Sequence, residues 1–288
     1  METPEVKIIE CPRDAMQGLH AFIPTDVKVS YLNELLKVGF DTIDIGSFVS
    51  AKAIPQLADT AEVLSRIDTT GSRSKLLVIV ANERGAEDAC KQQGVTYLGY
   101  PFSISETFQQ RNTNTSIEGS WERTERIAEL ANKAGKELVV YISMAFGNPY
   151  VDPWNAAIAL RWTERLVNEL GVRIISLADT VGVAKSEDIS AMFNALIPAM
   201  PDVEFGAHLH ARLDNWKVKT DAAWMAGCRR FDGALKGYGG CPMAEDDLVG
   251  NLSTELFVAD LESRGTVTGL DHVQLERCLQ QALTVFPQ

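Results

Sequence analysis

The sequence predicts a single (β/α)8 barrel. Three observations carry that expectation. Short aliphatic and β-branched runs alternate with longer stretches of helical period, which implies βαβ units and a parallel sheet. Eight such units fit within 288 residues, the size range of a closed barrel. Polar residues gather where the runs stop, the end at which barrel enzymes place their chemistry. A doubly wound open sheet would want a glycine-rich phosphate turn after its first strand, and Cys11-Pro12-Arg13-Asp14 is not one.

The predicted strands are, in order, about Val6–Cys11, Thr42–Gly46, Leu76–Ala81, Thr96–Gly99, Leu138–Ser143, Ile174–Ala178, Glu204–His208 and Arg230–Ala234. The first is followed by Arg13, Asp14 and Gln17, the second by Asp44 and Ser47 near its end, and the third by Asn82. Ser143 closes the fifth and Asp179 follows the sixth. His208 and His210 end the seventh, and Lys236 to Cys241 follow the eighth. Among the helical stretches, Asp26 to Val38 places Val29, Leu32, Leu35 and Leu36 on one face and Lys28, Asn33 and Lys37 on the other, with Gly39 as its C-terminal cap. Pro153 and Ser186 are expected to open helices. Residues 1–288 are expected to form one catalytic domain, with a helical extension over about 265–288 that contains a helix from Asp271 to Phe286.

Composition excludes several classes of function. A formal net charge of −12 with no Lys/Arg-rich block argues against nucleic acid and anionic membranes as partners. No apolar run approaches the roughly 20 residues of a membrane span. The chain reaches a strand almost at once, leaving no room for an export or transit signal, so a cytoplasmic location is expected. Five cysteines, odd in number and without a Cys-x-x-Cys pair, argue against a disulfide framework or a structural zinc site.

His208 and His210 lie two apart at a strand end, so both imidazoles face the same way and can grip one ion. Only four histidines exist in the chain. With the Asp14 carboxylate and the Asn251 amide oxygen they make a mixed N/O set that suits Mg2+, Mn2+, Co2+ or Zn2+, with positions left for substrate. Arg13 beside Asp14 reads either as a plain ion pair or as a planar cation able to hold an enolate oxygen or a carboxylate. Asp179 after its apolar strand reads either as a buried capping acid or as a site residue. Cys241, after two glycines and before Pro242, sits in a stretch that resembles a closing flap, where a thiol serves as proton donor or nucleophile. Cys90, Cys228 and Cys278 read as small buried residues in helix-like stretches.

These residues resemble the 3-hydroxy-3-methylglutaryl-CoA lyase family of metal-dependent lyase and aldolase barrels. The resemblance covers nearly the whole length. It rests on Pro12-Arg13-Asp14 with Gln17, Ser47-Phe48-Val49-Ser50-Ala51-Lys52 with Pro55-Gln56, and Ser116-Ile117-Glu118. It continues through Gly147-Asn148-Pro149-Tyr150, Ser176-Leu177-Ala178-Asp179-Thr180-Val181-Gly182-Val183 and His208-Leu209-His210. Gly239-Gly240-Cys241-Pro242 and Gly250-Asn251-Leu252-Ser253-Thr254-Glu255 complete it. Ser-Phe-Val-Ser and Gly-Gly-Cys-Pro point to the lyase branch over the condensing enzymes.

The resemblance implies retro-Claisen cleavage of a 3-hydroxyacyl-CoA thioester to acetyl-CoA and acetoacetate, chemistry of leucine degradation and ketone-body formation. It implies a divalent metal, Mg2+ or Mn2+ before Zn2+ or Co2+, on Asp14, His208, His210 and Asn251. Asp179 or His208 would take the hydroxyl proton, Arg13 would hold the enolate oxygen and Cys241 would protonate its carbon. Gln17, Asp44, Ser47, Ser143, Thr180 and Glu255 would line or support the substrate, and the chain would act as a homo-oligomer, a dimer. The chain departs from the family where Asp-Thr-Tyr-Gly becomes Ala211-Arg212-Leu213-Asp214, where a glutamate becomes Asp44, and in Glu245 to Val249. Two other functions are compatible: a sister aldolase or condensing enzyme acting on a 2-oxo acid, and a catalytically retired barrel serving as a binding subunit.

Overall fold

A computed structural model of the chain describes residues 6–240 and 249–286. Eight strands close into a parallel barrel: β1 (Lys7–Glu10), β2 (Thr42–Ser47), β3 (Lys75–Ile79), β4 (Val95–Ser103), β5 (Glu137–Ser143), β6 (Ile174–Asp179), β7 (Glu204–Leu209) and β8 (Arg230–Gly233). β1 pairs with both β2 and β8, which completes the ring. The expected strands all form, with ends that differ by a few residues.

The helices of the described residues are α1 (Pro12–Gln17), α2 (Thr25–Val38), α3 (Thr60–Arg66), α4 (Glu83–Cys90), α5 (Glu106–Thr113), α6 (Ile117–Lys133), α7 (Ala156–Leu170), α8 (Ser186–Ala199), α9 (Trp216–Met225), α10 (Thr254–Ser263) and α11 (His272–Val285). Side-chain oxygens cap several of them: Asn82 accepts from Gly85 N, Ser116 from Gly119 N and Asn155 from Ile158 N, each satisfying a backbone donor that the first turn leaves open. α7 therefore begins after Asn155, not at Pro153. Asn82, expected at the open mouth, is occupied as the α4 cap. α2 ends on Gly39 at φ 89°, a conformation that favours a residue without Cβ.

Strand alternation separates two cores. Leu77, Tyr97, Val139, Tyr141 and Ile174 form a small cluster inside the ring. The opposite parity, including Val78, Leu98, Val140, Ile175 and Leu177, joins the larger core between strands and helices, as a sheet buried on both faces requires. α11 packs on α2, with Phe286 edge-on to Tyr31 at 5.7 Å between ring centres. Lys28 corrects the simple face assignment of α2. It is buried, and its ammonium donates to Asp59 Oδ1 at 2.7 Å and to the Gln56 carbonyl. A long stem with a charged end can satisfy a core face when acceptors meet it there.

Candidate metal centre and active site

β1 runs straight into α1 because Pro12 occupies the first helical turn, where a missing N–H costs nothing. This sharp join brings Arg13, Asp14 and Gln17 to the mouth together. Arg13 donates from Nε and Nη2 to Asp44 Oδ2 at 2.9 and 2.6 Å, and from Nη1 to Asp14 Oδ1 and Gln17 Oε1 at 2.9 and 2.8 Å. Gln17 Nε2 also donates to Asp14 Oδ1, at 2.6 Å. Burial opposes the Asp14 anion, but Arg13, the two histidines and Asn251 outweigh it and bring the carboxyl down to about 2. Burial, with the neighbouring Asp14 and Asp232 charges, pushes Asp44 up to about 6 despite Arg13.

β7 delivers the histidines across the mouth. The His208 and His210 rings lie 5.3 Å apart, and His210 Nε2 is 3.9 Å from Asp14 Oδ2. One ligand atom from each of Asp14, His208 and His210 falls within 4.8 Å of the others. Burial, with His208 nearby, lowers the His210 ring to about 4, so it is neutral at pH 7. Its Nε2 is buried with no hydrogen-bond partner among the described residues. That unpaired nitrogen faces the Asp14 carboxylate oxygen. An unpaired buried imidazole nitrogen beside a carboxylate and a second imidazole is a donor set that fits a divalent ion.

Asn251 arrives from beyond β8 and bridges to His210 in antiparallel fashion. Its Nδ2 donates to Asp14 Oδ2 at 2.7 Å and to the Tyr238 carbonyl at 2.8 Å. It touches the cluster, therefore, by donating to the carboxylate. Gly239, at φ 92°, makes the approach possible: a Cβ there would lie 2.7 Å from the Asp14 carbonyl oxygen and 2.8 Å from Asn251 Nδ2.

The remaining residues expected at the site are placed as follows. Asp179 shares its parity with Ile175 and Leu177, which face the helices. Its Oδ2 accepts from Lys219 Nζ at 2.7 Å and its Oδ1 from Ala184 N at 3.0 Å. Burial raises this carboxyl, with Lys219 and the backbone amides pulling the other way. The Ser47 hydroxyl is engaged locally, accepting from Val49 N at 3.1 Å and donating to the Ile79 carbonyl at 3.3 Å. Ser143 is buried at the end of β5, and Thr180 Oγ1 accepts from Met144 N at 2.9 Å. Glu255 sits in the first turn of α10 and accepts from Lys236 N at 3.0 Å. Cys241 lies outside the described residues.

Two residues absent from the expected site adjoin it. Asp232, inside the ring on β8, meets His208 Nδ1 through Oδ2 at 3.1 Å. Burial opposes a charged His208, but Asp232 outweighs it and raises the ring above its ordinary range. Lys219 on α9 is the other. The strand alternation Arg230, Asp232, Ala234 marks Asp232 as inward, and Lys219 precedes Ala222 and Ala223 on the core face of its helix. Those periodicities were the available signals.

A closed parallel barrel that gathers two imidazoles, a carboxylate and an amide at the C-terminal mouth defines a barrel enzyme with a group of residues able to hold a divalent metal. The chain belongs to the HMGL-like family, whose model matches residues 5–281. It is 33% identical over 268 residues to the cytoplasmic 3-hydroxy-3-methylglutaryl-CoA lyase of Rattus norvegicus, covering 92% of this chain and 77% of that one. It superposes on hydroxymethylglutaryl-CoA lyase from Pseudomonas aeruginosa with a TM-score of 0.91 at 29% identity, covering 100% and 95% of the two chains. An HMG-CoA lyase from Acinetobacter baumannii, in complex with coenzyme A and 3-methylmalate, gives 0.89 at 28% identity over 98% and 91%. Among the described residues no helix is long and apolar enough to cross a membrane.

Proposed function

We propose that the chain is a divalent-metal-dependent carbon–carbon lyase that cleaves 3-hydroxy-3-methylglutaryl-CoA, or a closely similar 3-hydroxyacyl-CoA, to acetyl-CoA and acetoacetate. The observation that carries the reading is the neutral His210 Nε2 facing Asp14 Oδ2 at 3.9 Å in a chain akin to such lyases over nearly its whole length. Asp14, His208, His210 and Asn251 would hold the ion, with Mg2+ or Mn2+ proposed first. When bound, such an ion supplies Lewis acidity that lowers the pKa of a coordinated hydroxyl and neutralises a carboxylate.

The chain's own residues do the rest. Arg13 is pinned by Asp44, Asp14 and Gln17, which engage four of its five N–H groups and leave an Nη2 hydrogen for a developing enolate oxygen. Of the two groups expected to accept the hydroxyl proton, His208 faces the cluster and Asp179 faces the helices, which favours His208. Gln17 and Asp44 act by fixing Arg13. Ser47, Ser143, Thr180 and Glu255 are proposed to shape the walls of the substrate site. Cys241 would return a proton to the enolate carbon, a role that rests on the family resemblance.

The coenzyme A bound to the Acinetobacter baumannii lyase supports an acyl-CoA substrate here. A cytoplasmic setting, a place in leucine degradation or ketone-body formation, and a homodimer complete the reading. Incubating purified protein and Mg2+ or Mn2+ with branched 3-hydroxyacyl-CoA thioesters, and measuring keto acid and acetyl-CoA together, tests it. Equal release of both products is expected. Turnover of 2-oxo acids alone would move the chain to the aldolases, and the absence of bound metal despite intact ligand residues would make it a retired barrel serving as a binding subunit.

A further inference from the structure

Lys219 is among the most buried cations of the chain and contributes nothing to the reaction as outlined above. Its ammonium has three hydrogens, and the structure gives each an acceptor: Asp179 Oδ2 at 2.7 Å, the Gly182 carbonyl at 2.9 Å and the His210 carbonyl at 2.9 Å. These acceptors come from the end of β6, the loop after it, and the residue just past β7. A single cation on α9 thereby ties together two adjacent strand ends. The tie meets His210 directly, because one of the three acceptors is that residue's own carbonyl. The backbone that carries the His210 imidazole is therefore held by the same ammonium that holds Asp179.

We propose that Lys219 is a positioning residue for the metal centre, with Asp179 as its counter-ion: the pair sets where His210 Nε2 stands relative to Asp14. The proposal deepens the metal-dependent reading and rests on it. Groups that orient metal-binding imidazoles through hydrogen bonds typically change metal affinity 10–100-fold when removed. A purely structural ion pair between helix and strand would alter the melting temperature and leave the affinity of the folded protein unchanged.

Lys219→Met removes the ammonium and keeps the bulk of the stem, and Lys219→Met/Asp179→Asn removes the buried charge pair entirely. The double variant is the one to read where the single variant does not fold. Mn2+ affinity is measured by electron paramagnetic resonance of the free ion, and the visible spectrum of the Co2+-loaded protein reports ligand geometry. Mn2+ affinity about 10–100-fold weaker in the folded variants, with a changed Co2+ spectrum, is expected. Native affinity together with an unchanged Co2+ spectrum overturns the proposal and leaves the lyase reading standing. A native protein that binds Mn2+ but cleaves no thioester defeats the lyase reading alone, and one that binds no Mn2+ defeats both.

Discussion

His208 Nδ1 lies 3.1 Å from Asp232 Oδ2, inside the barrel and below the mouth. The carboxylate fixes the ring and favours a proton on Nδ1, which leaves Nε2 for the cluster with Asp14 and His210. Asp232→Asn presents an amide that can hold the ring in the opposite tautomer. Mn2+ affinity is expected to fall about 10–100-fold, as measured by titration calorimetry, and an unchanged affinity would remove Asp232 from the site.

Cys241→Ala is expected to leave Mn2+ binding intact while slowing acetoacetate release about 10²–10⁴-fold, the contribution of a positioned proton donor. The check is a coupled assay on metal-loaded variant and native protein. Full turnover would exclude the thiol from the reaction.

Gly239→Ala forces a Cβ into a space bounded by the Asp14 carbonyl oxygen at 2.7 Å, Ala15 Cα at 2.8 Å and Asn251 Nδ2 at 2.8 Å. The residue also holds φ 92°, which costs a side-chain-bearing residue about 1–3 kcal/mol. Both stability and Mn2+ affinity should fall, because the easiest relief moves Asn251 away from Asp14. Denaturant unfolding and calorimetry read the two effects separately.

Glu10 gives the fold a pH dependence of its own. Burial pushes its carboxyl from 4.5 up to about 8, against hydrogen bonds from Thr254 Oγ1 and Leu235 N. The folded state binds the proton that the unfolded state has lost, so this group lowers stability progressively as pH rises from about 4.5 to about 8, by a few kcal/mol in all. Glu10→Gln keeps acceptor and bulk without the charge. Its stability relative to the native chain should therefore grow between pH 5 and pH 8 in denaturant unfolding, and a constant difference would refute the buried-acid account.

The barrel was legible because each strand is a short aliphatic run buried on both faces, and burial of that kind leaves a near-continuous apolar signature. The residues of the mouth were legible for a related reason: a charged side chain directly after such a run has few other places to be. What the sequence concealed depends on partners far away along the chain. Lys219 reads like Lys217, two positions earlier, which is half-exposed and pairs with Asp260 at 2.5 Å. The period shared with Ala222 and Ala223 places Lys219 on the core face, but its acceptors at Asp179, Gly182 and His210 are tertiary and leave no mark in the sequence. Lys28 was misplaced for the same reason. The facing of Asp179 follows from strand parity, but a lone acid after a strand gives no sign of whether the register continues inward or outward at its last residue.

The contact of Asn251 with Asp14 spans 237 positions, from the first helix of the ring to the segment beyond its last strand. A growing polypeptide that has made every strand except the eighth still lacks the amide that completes this cluster. In the proposed reading, a product that stops before Asn251 would lack one of the four groups that would hold the ion. Once captured, the ion would act as a clasp between the two ends of the chain, so its removal should loosen β1 against β8 before it disturbs the middle of the barrel.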